Sequence, residues 1–311
     1  MGQRLGVIKG VVIGLLVAAL TGCSSAGDPG SSMVVAPDGA SSAAPTTVAP
    51  ISTSPPTTVS TTSTSVAVST MTEPVRTGSA PPAWLGTREL PLRPGETNGI
   101  AQPTPVEFVD RQLWTEDVLT PPGDEVFVSS VTTPPPPDVI ARSTWREQCP
   151  VALADLSYAQ VSFVGFDGLF HTGEFILHRE ITPDVVEIFR ELHAIGFPIE
   201  EMRVTTQEAV DAHPTGDSNN TSSFVCRPAV NSGNWSRHAH GGAIDINPFH
   251  NPYVLGDLVL PELASAYLDR DRDVPGMITP EVEELFATIG WGWGGDWNSA
   301  SDWMHFSDTG G

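Results

Sequence analysis

Lysine is almost absent from this sequence. Lys9 is the only one, and 15 basic residues in all stand against 37 acidic ones, for a formal net charge of −22. No electropositive stripe can be assembled from that inventory, so nucleic acid and anionic membrane surfaces are poor partners. A solvated acidic face is enough to account for the charge. Long apolar runs are missing too. The one candidate, Val11 to Leu20, falls short of the roughly 20 residues that a membrane span requires. Residues 24–80 hold no aromatic side chain and show no apolar period from which a core could be built. No internal repeat is visible. Cysteine is limited to Cys23, Cys149 and Cys226.

What is present begins with an export signal. Arg4 and Lys9 precede the apolar run, and residues 1–22 end in small residues ahead of Cys23. The text Leu20-Thr21-Gly22-Cys23 resembles the lipobox of bacterial lipoproteins, which implies cleavage before Cys23 and a lipid on it. An ordinary signal peptide or a transmembrane anchor is the alternative. Residues 23–80, with text such as STSPPTTVSTTSTSVAVST, are expected to be a disordered Ser/Thr/Pro-rich tether that gives reach between membrane and wall, with O-glycosylation open. The expected location is therefore extracytoplasmic, lipid-anchored to the bacterial cell membrane. In that oxidising setting Cys149 and Cys226 form an even pair, and a disulfide is the simplest reading. The alternative makes Cys226, beside Arg227, a nucleophile or ligand.

Residues 81–143 are interrupted by PPAWLGTRELPLRP, QPTP and TPPPP. Proline at that frequency opposes long helices and interior strands, so an extended arm is expected, anchored by Trp84 and Trp114. From about residue 144 to 311 the text becomes globular. Tyr158 to Phe166 and Gly173 to His178 read as two strands about a turn at Asp167-Gly168. Thr182-Pro183 starts a helix with Val185, Ile188, Phe189, Leu192 and Ile195 on its apolar face and Gly196 as its stop. A second helix runs from Thr279-Pro280 through Val282, Leu285, Phe286 and Ile289 to Gly290. Hairpins and helices in this irregular order predict an α+β fold rather than a doubly wound parallel sheet.

Chemistry concentrates in Ser236-Arg237-His238-Ala239-His240-Gly241-Gly242-Ala243-Ile244-Asp245. Strand alternation sends Ile244 and Ile246 to one face and Asp245 to the other. Gly241 and Gly242 permit a tight turn that folds His238 back beside Asp245. Near the C-terminus, Met304 and Phe306 flank an oppositely directed His305. Two imidazoles and one carboxylate form an N/O donor set suited to zinc, with a coordination position left open. Asp302, three residues before His305, is placed to take a proton from water. Each piece alone also has a plainer reading: His-Ala-His as loop surface, Asp245 as a hydrogen-bonded strand residue. His240 is the rival to His238. Trp291, Trp293 and Trp297 read as a rigid wall under the site or as a sugar platform. His171, His178, His193, His213 and His250 show no partner pattern.

The pattern S-x-H-x-x-G-x-A-x-D, met by Ser236, His238, Gly241, Ala243 and Asp245, followed by D-x-x-H at Asp302 and His305, resembles the M15 family of zinc D,D-peptidases. The texts FVCRPA, NPFHNPYV and GWGWGGDW are similar to its D-alanyl-D-alanine carboxypeptidase-like branch. The resemblance runs from Cys149 to Phe306. It implies an α+β fold built on a small antiparallel sheet flanked by helices, of the hedgehog-like type, with one zinc ion held by His238, Asp245 and His305. Asp302 matches the catalytic base, where some relatives carry glutamate. Arg227 matches an arginine that binds and polarises the substrate carbonyl; the alternative is a structural ion pair. Ser236 is expected to bind substrate or to cap its own loop. The implied substrate is the peptidoglycan stem peptide, cut by a D-Ala-D-Ala carboxypeptidase acting as a monomer. Endopeptidase action within stem or cross-bridge, and a non-catalytic lipoprotein that binds wall peptide, are the competing readings.

Overall fold

A computed structural model describes residues 75–123, 127–230 and 232–310. The signal peptide, the lipidation position Cys23 and most of the tether lie outside the described residues. Among the described residues no helix is long and apolar enough to cross a membrane.

The folded part is organised by a long hairpin. After β1 (Ser129–Thr132) and α1 (Pro137–Arg142) come β2 (Leu156–Val164) and β3 (Phe170–His178). These last two pair antiparallel along their whole length, from Leu156↔His178 to Val164↔Phe170, with β1 on the outer edge of β2. Asp167 and Gly168 make the turn as expected: Gly168 adopts φ +76°, and the Asp167 carboxylate accepts a hydrogen bond from the Leu169 N–H at 3.1 Å. Alternation then sorts the side chains. Ala159, Val161, Phe163, Phe175 and Leu177 face α2 (Thr182–Ala194), which returns Val185, Ile188, Phe189 and Leu192. Burying each of those Leu, Ile, Val and Phe side chains stabilises the fold by about 1.5–3 kcal/mol.

Two details of α2 differ from expectation. The Thr182 hydroxyl donates to the His178 carbonyl at 3.0 Å rather than capping the helix, and Ile181 holds the cap position. Ile195 lies beyond the last helical residue and is exposed, while Phe197 re-enters the core in its place.

The remaining elements are short: β4 (Glu201–Met202), α3 (Gln207–Asp211), β5 (Asn220–Thr221), β6 (Ala243–Asp245), β7 (Tyr253–Leu255), β8 (Leu258–Leu260), α4 (Pro280–Thr288), β9 (Gly292–Trp293), β10 (Ser301–Asp302) and β11 (His305–Ser307). They form two three-stranded antiparallel sheets, ordered β6-β11-β9 and β10-β7-β8, and one parallel pair, β4-β5. Mixed helices and small, mainly antiparallel sheets define an α+β fold. Thr279 caps α4 by accepting from the Val282 N–H. The helix buries Val282 and Phe286, and the Phe286 ring stacks on Phe306 of β11 at 4.0 Å. That stack fixes which face of β11 meets the core, and so which face carries His305.

Residues 75–123 are more than a loose arm. The Thr77 N–H donates to the Asp167 carbonyl at 2.9 Å, so a residue on the tether side of position 80 is bonded to the hairpin turn. The stretch 81–143 also contains β1 and α1. Leu90, Phe108 and Leu113 join Phe249, Tyr267 and Met277 in a second core. Trp84 does pack on Phe108 at 4.8 Å, and Trp114 bonds the Thr77 carbonyl. The deepest anchor, however, is Arg111. It is buried between the Phe108 and Phe249 rings and donates to both carboxylate oxygens of Glu200.

Candidate metal centre

The site forms where β6 and β11 run side by side. Ile244 and Ile246 on one side and Phe306 on the other are fully buried, so strand alternation turns Asp245 and His305 to the opposite face. The register sets these two directly across from each other. His238 arrives from a short 3-10 turn, Arg237–His240. Ser236 caps that turn by accepting from the His238 N–H at 3.3 Å, and Gly241 ends it at φ +69°. A side chain at Gly241 would also stand 2.7 Å from the backbone nitrogen of His178, so only glycine serves there.

Three atoms converge. His305 Nδ1 lies 3.0 Å from Asp245 Oδ1 and 3.1 Å from His238 Nε2, and His238 Nε2 lies 3.2 Å from Asp245 Oδ1. Three donors held about 2.0–2.1 Å from one tetrahedral zinc ion would be spaced about 3.3 Å apart. The triangle is close to that size. His238 Nδ1 donates to the Ser223 carbonyl, which leaves the Nε2 lone pair for the triangle, as a metal-binding imidazole requires. Two nitrogens and one carboxylate oxygen thus fit a single zinc ion by spacing, donor type and tautomer. Among the described residues this is the one His/Cys/Asp/Glu cluster with such spacing. His240 is not part of the triangle or of the cleft lining, and its pKa is lowered, mostly by burial.

The electrostatics divide the two acids. Burial opposes ionisation of Asp245, but His238 and His305 outweigh it and hold the carboxyl well below the usual range. Asp302 goes the other way. Burial, reinforced by the negative charge of Asp245 and only partly offset by His305 and Arg227, pushes it up to about 7. Its Oδ1 is shielded from solvent and has no hydrogen-bond partner.

A cleft of about 490 Å³ opens over these groups and is lined by Arg227, Ser236 and Asp302 together with the triangle. The residues singled out from the sequence are therefore brought to one place. The arm, 81–143, contributes nothing to this lining. Cys226 is bonded to Cys149, with Cα atoms 5.8 Å apart, which removes it as nucleophile or ligand and tethers the segment leading to Arg227. The Arg227 guanidinium donates to the Pro228 carbonyl at 3.1 Å and is in no ion pair among the described residues, whereas Arg237 is paired with Asp308. Of the tryptophans, Trp291 is buried against Phe286, Trp293 donates to the Trp303 carbonyl, and the Trp297 ring stands 5.3 Å from His305 on the cleft wall.

Other contributors carry no motif. The Ser223 carbonyl orients His238 through main-chain chemistry that any residue provides. Gly294 lets β10 and β11 close up, since a Cβ there would lie 2.6 Å from the Asp302 carbonyl oxygen and 3.2 Å from His305 Cβ; its place among the glycines of GWGWGGDW was the available signal. Trp235 and Tyr253 also line the cleft.

An α+β scaffold presents two imidazoles and a carboxylate in an open cleft, with a shielded second carboxylate beside them, and such a donor set could hold one metal ion. Residues 230–308 match the M15 peptidase family model described as D-alanyl-D-alanine carboxypeptidase. That similarity, confined to the C-terminal part of the chain, takes in the whole triangle and Asp302 but not Arg227 or the disulfide. No curated protein and no solved structure matched the chain.

Proposed function

We propose that the protein is a zinc-dependent peptidase of the cell envelope that hydrolyses peptidoglycan stem peptides, with release of a terminal D-alanine as its leading activity. The observation that carries this reading is the triangle of His238, Asp245 and His305 with the partnerless Asp302 oxygen beside it. A bound zinc ion supplies Lewis acidity at the floor of the cleft. The chain supplies the rest. Asp302, with its shielded and unpartnered Oδ1 beside the triangle, takes the proton of the attacking water and returns it to the departing amine. Arg227 makes no ion pair among the described residues and offers N–H donors to the carbonyl oxygen as it gains charge, a contribution of about 3 kcal/mol when such a donor is well aligned. Ser236 acts through its cap on the His238 turn. Delivery by a lipid on Cys23 and a tether through residue 80 belongs to the same proposal, as do an extracytoplasmic location, a monomeric state and the exclusion of nucleic acid.

A second reading is favoured by the shape of the cleft. It shares Arg227 with a polar groove of about 490 Å³ along Thr205, Ser218 and Ser222. It shares Trp297 with a depression of about 690 Å³ beside Asp296 and Asn298. Depressions that flank the cleft on two sides suit a chain that passes through, so cutting within the stem or cross-bridge is the alternative. Digestion of peptidoglycan by the zinc-loaded protein, read by mass spectrometry, separates the two. Loss of one D-alanine is expected; internal fragments would establish the endopeptidase, and no product from stem peptide or whole wall would overturn both.

A further inference from the structure

Three tyrosines occur in the sequence, and two are fully engaged in the fold. The Tyr158 hydroxyl donates to Glu174 at 2.5 Å. The Tyr267 hydroxyl accepts from the Arg111 N–H and donates to the Phe108 carbonyl. Tyr253 differs: its side chain is half-buried in the cleft wall and its hydroxyl has no hydrogen-bond partner among the described residues. It opens β7, and the register pairs it directly with Asp302 on β10. Cross-strand partners project to the same face with Cβ atoms about 4.5–5.5 Å apart. A phenol is longer than a carboxymethyl group, so from the same face of the paired strands the Tyr253 hydroxyl reaches farther than the Asp302 carboxylate, and both side chains line the cleft.

We propose that the Tyr253 hydroxyl is a catalytic donor of this site, giving a hydrogen bond to the acyl oxygen of the scissile peptide from the Asp302 side of the cleft. The inference rests on the peptidase reading above and adds a second, neutral donor to the cationic one at Arg227. A tyrosine that served only as an apolar wall would not need its polar end in the cleft, where phenylalanine would pack as well. Burial, and then the charge of Asp302, raise the phenol above its ordinary pKa, so it keeps the proton that a donor needs throughout the neutral range.

The test is Tyr253→Phe in the full-length, zinc-loaded protein. With a stem peptide that the wild type cleaves, kcat is expected to fall roughly 10- to 100-fold, with KM within about threefold and with melting temperature and zinc content unchanged. A kcat within about twofold of wild type overturns the assignment. So does an unchanged plateau with a displaced acid limb of the pH profile, because that outcome makes Tyr253 a positioning residue for Asp302. A phosphinate analogue of D-alanyl-D-alanine, titrated calorimetrically, reads the same hydrogen bond without turnover. The variant is expected to bind it about tenfold more weakly, and equal affinities overturn the proposal even if the wild type cuts none of the peptides tried. Inert wild-type protein with a tenfold affinity difference would instead sink the peptidase reading and leave the Tyr253 contact standing.

Discussion

Asp245 and His305 sit directly opposite each other on adjacent antiparallel strands, with Oδ1 and Nδ1 3.0 Å apart. Backbone hydrogen bonding between β6 and β11 therefore sets two corners of the triangle, and the side that joins them, before any ion binds. Asp245→Asn keeps the shape and removes the charge. Since loss of an outer-shell partner already costs 10- to 100-fold in metal affinity, loss of a ligand charge is expected to weaken zinc binding on the order of 100-fold or more. Competition with a chromophoric chelator measures it, and circular dichroism should show the fold retained.

Zinc should also stabilise the wild type by mass action, by about 2.7 kcal/mol at a free concentration 100 times Kd. A melting temperature that rises with zinc in the wild type and stays flat in Asp245→Asn is the expected outcome. Equal shifts in the two proteins would place the binding elsewhere.

The hairpin, both long helices and the face on which Asp245 and His305 stand were legible because each depends on local chemistry: alternation in A-I-D-I-N, Thr-Pro starts and Gly stops. The arm was less so. Arg111 reads as a surface residue by type, and only the tertiary arrangement of Phe108, Phe249 and Glu200 makes its burial tolerable. Likewise the proline-rich text announced the absence of long helices but not the second core, because Leu90, Phe108 and Leu113 are spaced by contacts with residues far along the chain. Ser223 was invisible for another reason: its contribution to His238 comes from a carbonyl group that every residue has.

Asp302 predicts a pH dependence of stability in chelator-treated protein. Its pKa rises from the ordinary 3.8 to about 7 on folding, so between those values the native state binds more protons than the unfolded state. Stability from this group is present below about pH 4 and is lost as pH rises through 7. Asp245 has the opposite sign: its stabilisation is present above its unfolded pKa and is lost only in strong acid. Asp302→Asn removes the first effect alone. Denaturant titrations from pH 4 to 7.5 should show the wild type declining by roughly 3–4 kcal/mol relative to the variant. Parallel curves would mean that Asp302 is not held neutral by its surroundings.

The Cys149–Cys226 bond joins segments separated by 77 positions and adjoins Arg227. Thr144 Oγ1 accepts from the Cys226 N–H, and Arg146 donates to the Cys226 carbonyl, at 2.9 and 3.2 Å. Replacing both cysteines by serine is expected to cost about 2–5 kcal/mol, read from denaturant midpoints with and without reductant. Zinc affinity should hold, since no ligand lies on the bridged segments, while turnover falls as Arg227 loses its support. A variant that loses zinc and activity together would show that the bridge supports the triangle instead.

Gly294 tests whether base and ligand move as one unit. A Cβ at this position would lie 2.6 Å from the carbonyl oxygen and 2.8 Å from the Cβ of Asp302, and 3.2 Å from the Cβ of His305. The obstruction is backbone and Cβ rather than a flexible side-chain end, so β10 and β11 must separate from the Gly294–Asp296 turn. Overpacking of this kind costs about 1–3 kcal/mol. Because Asp302 and His305 share the displaced segment, Gly294→Ala should lower both zinc affinity and kcat by more than the stability loss explains. Gly233→Ala is the control, since nothing lies within 4 Å of the added atom and its backbone is not left-handed; it should leave all three quantities unchanged. If Gly294→Ala loses stability but keeps wild-type kcat and zinc affinity, the approach of the two strands is a packing requirement and the site geometry tolerates its relaxation.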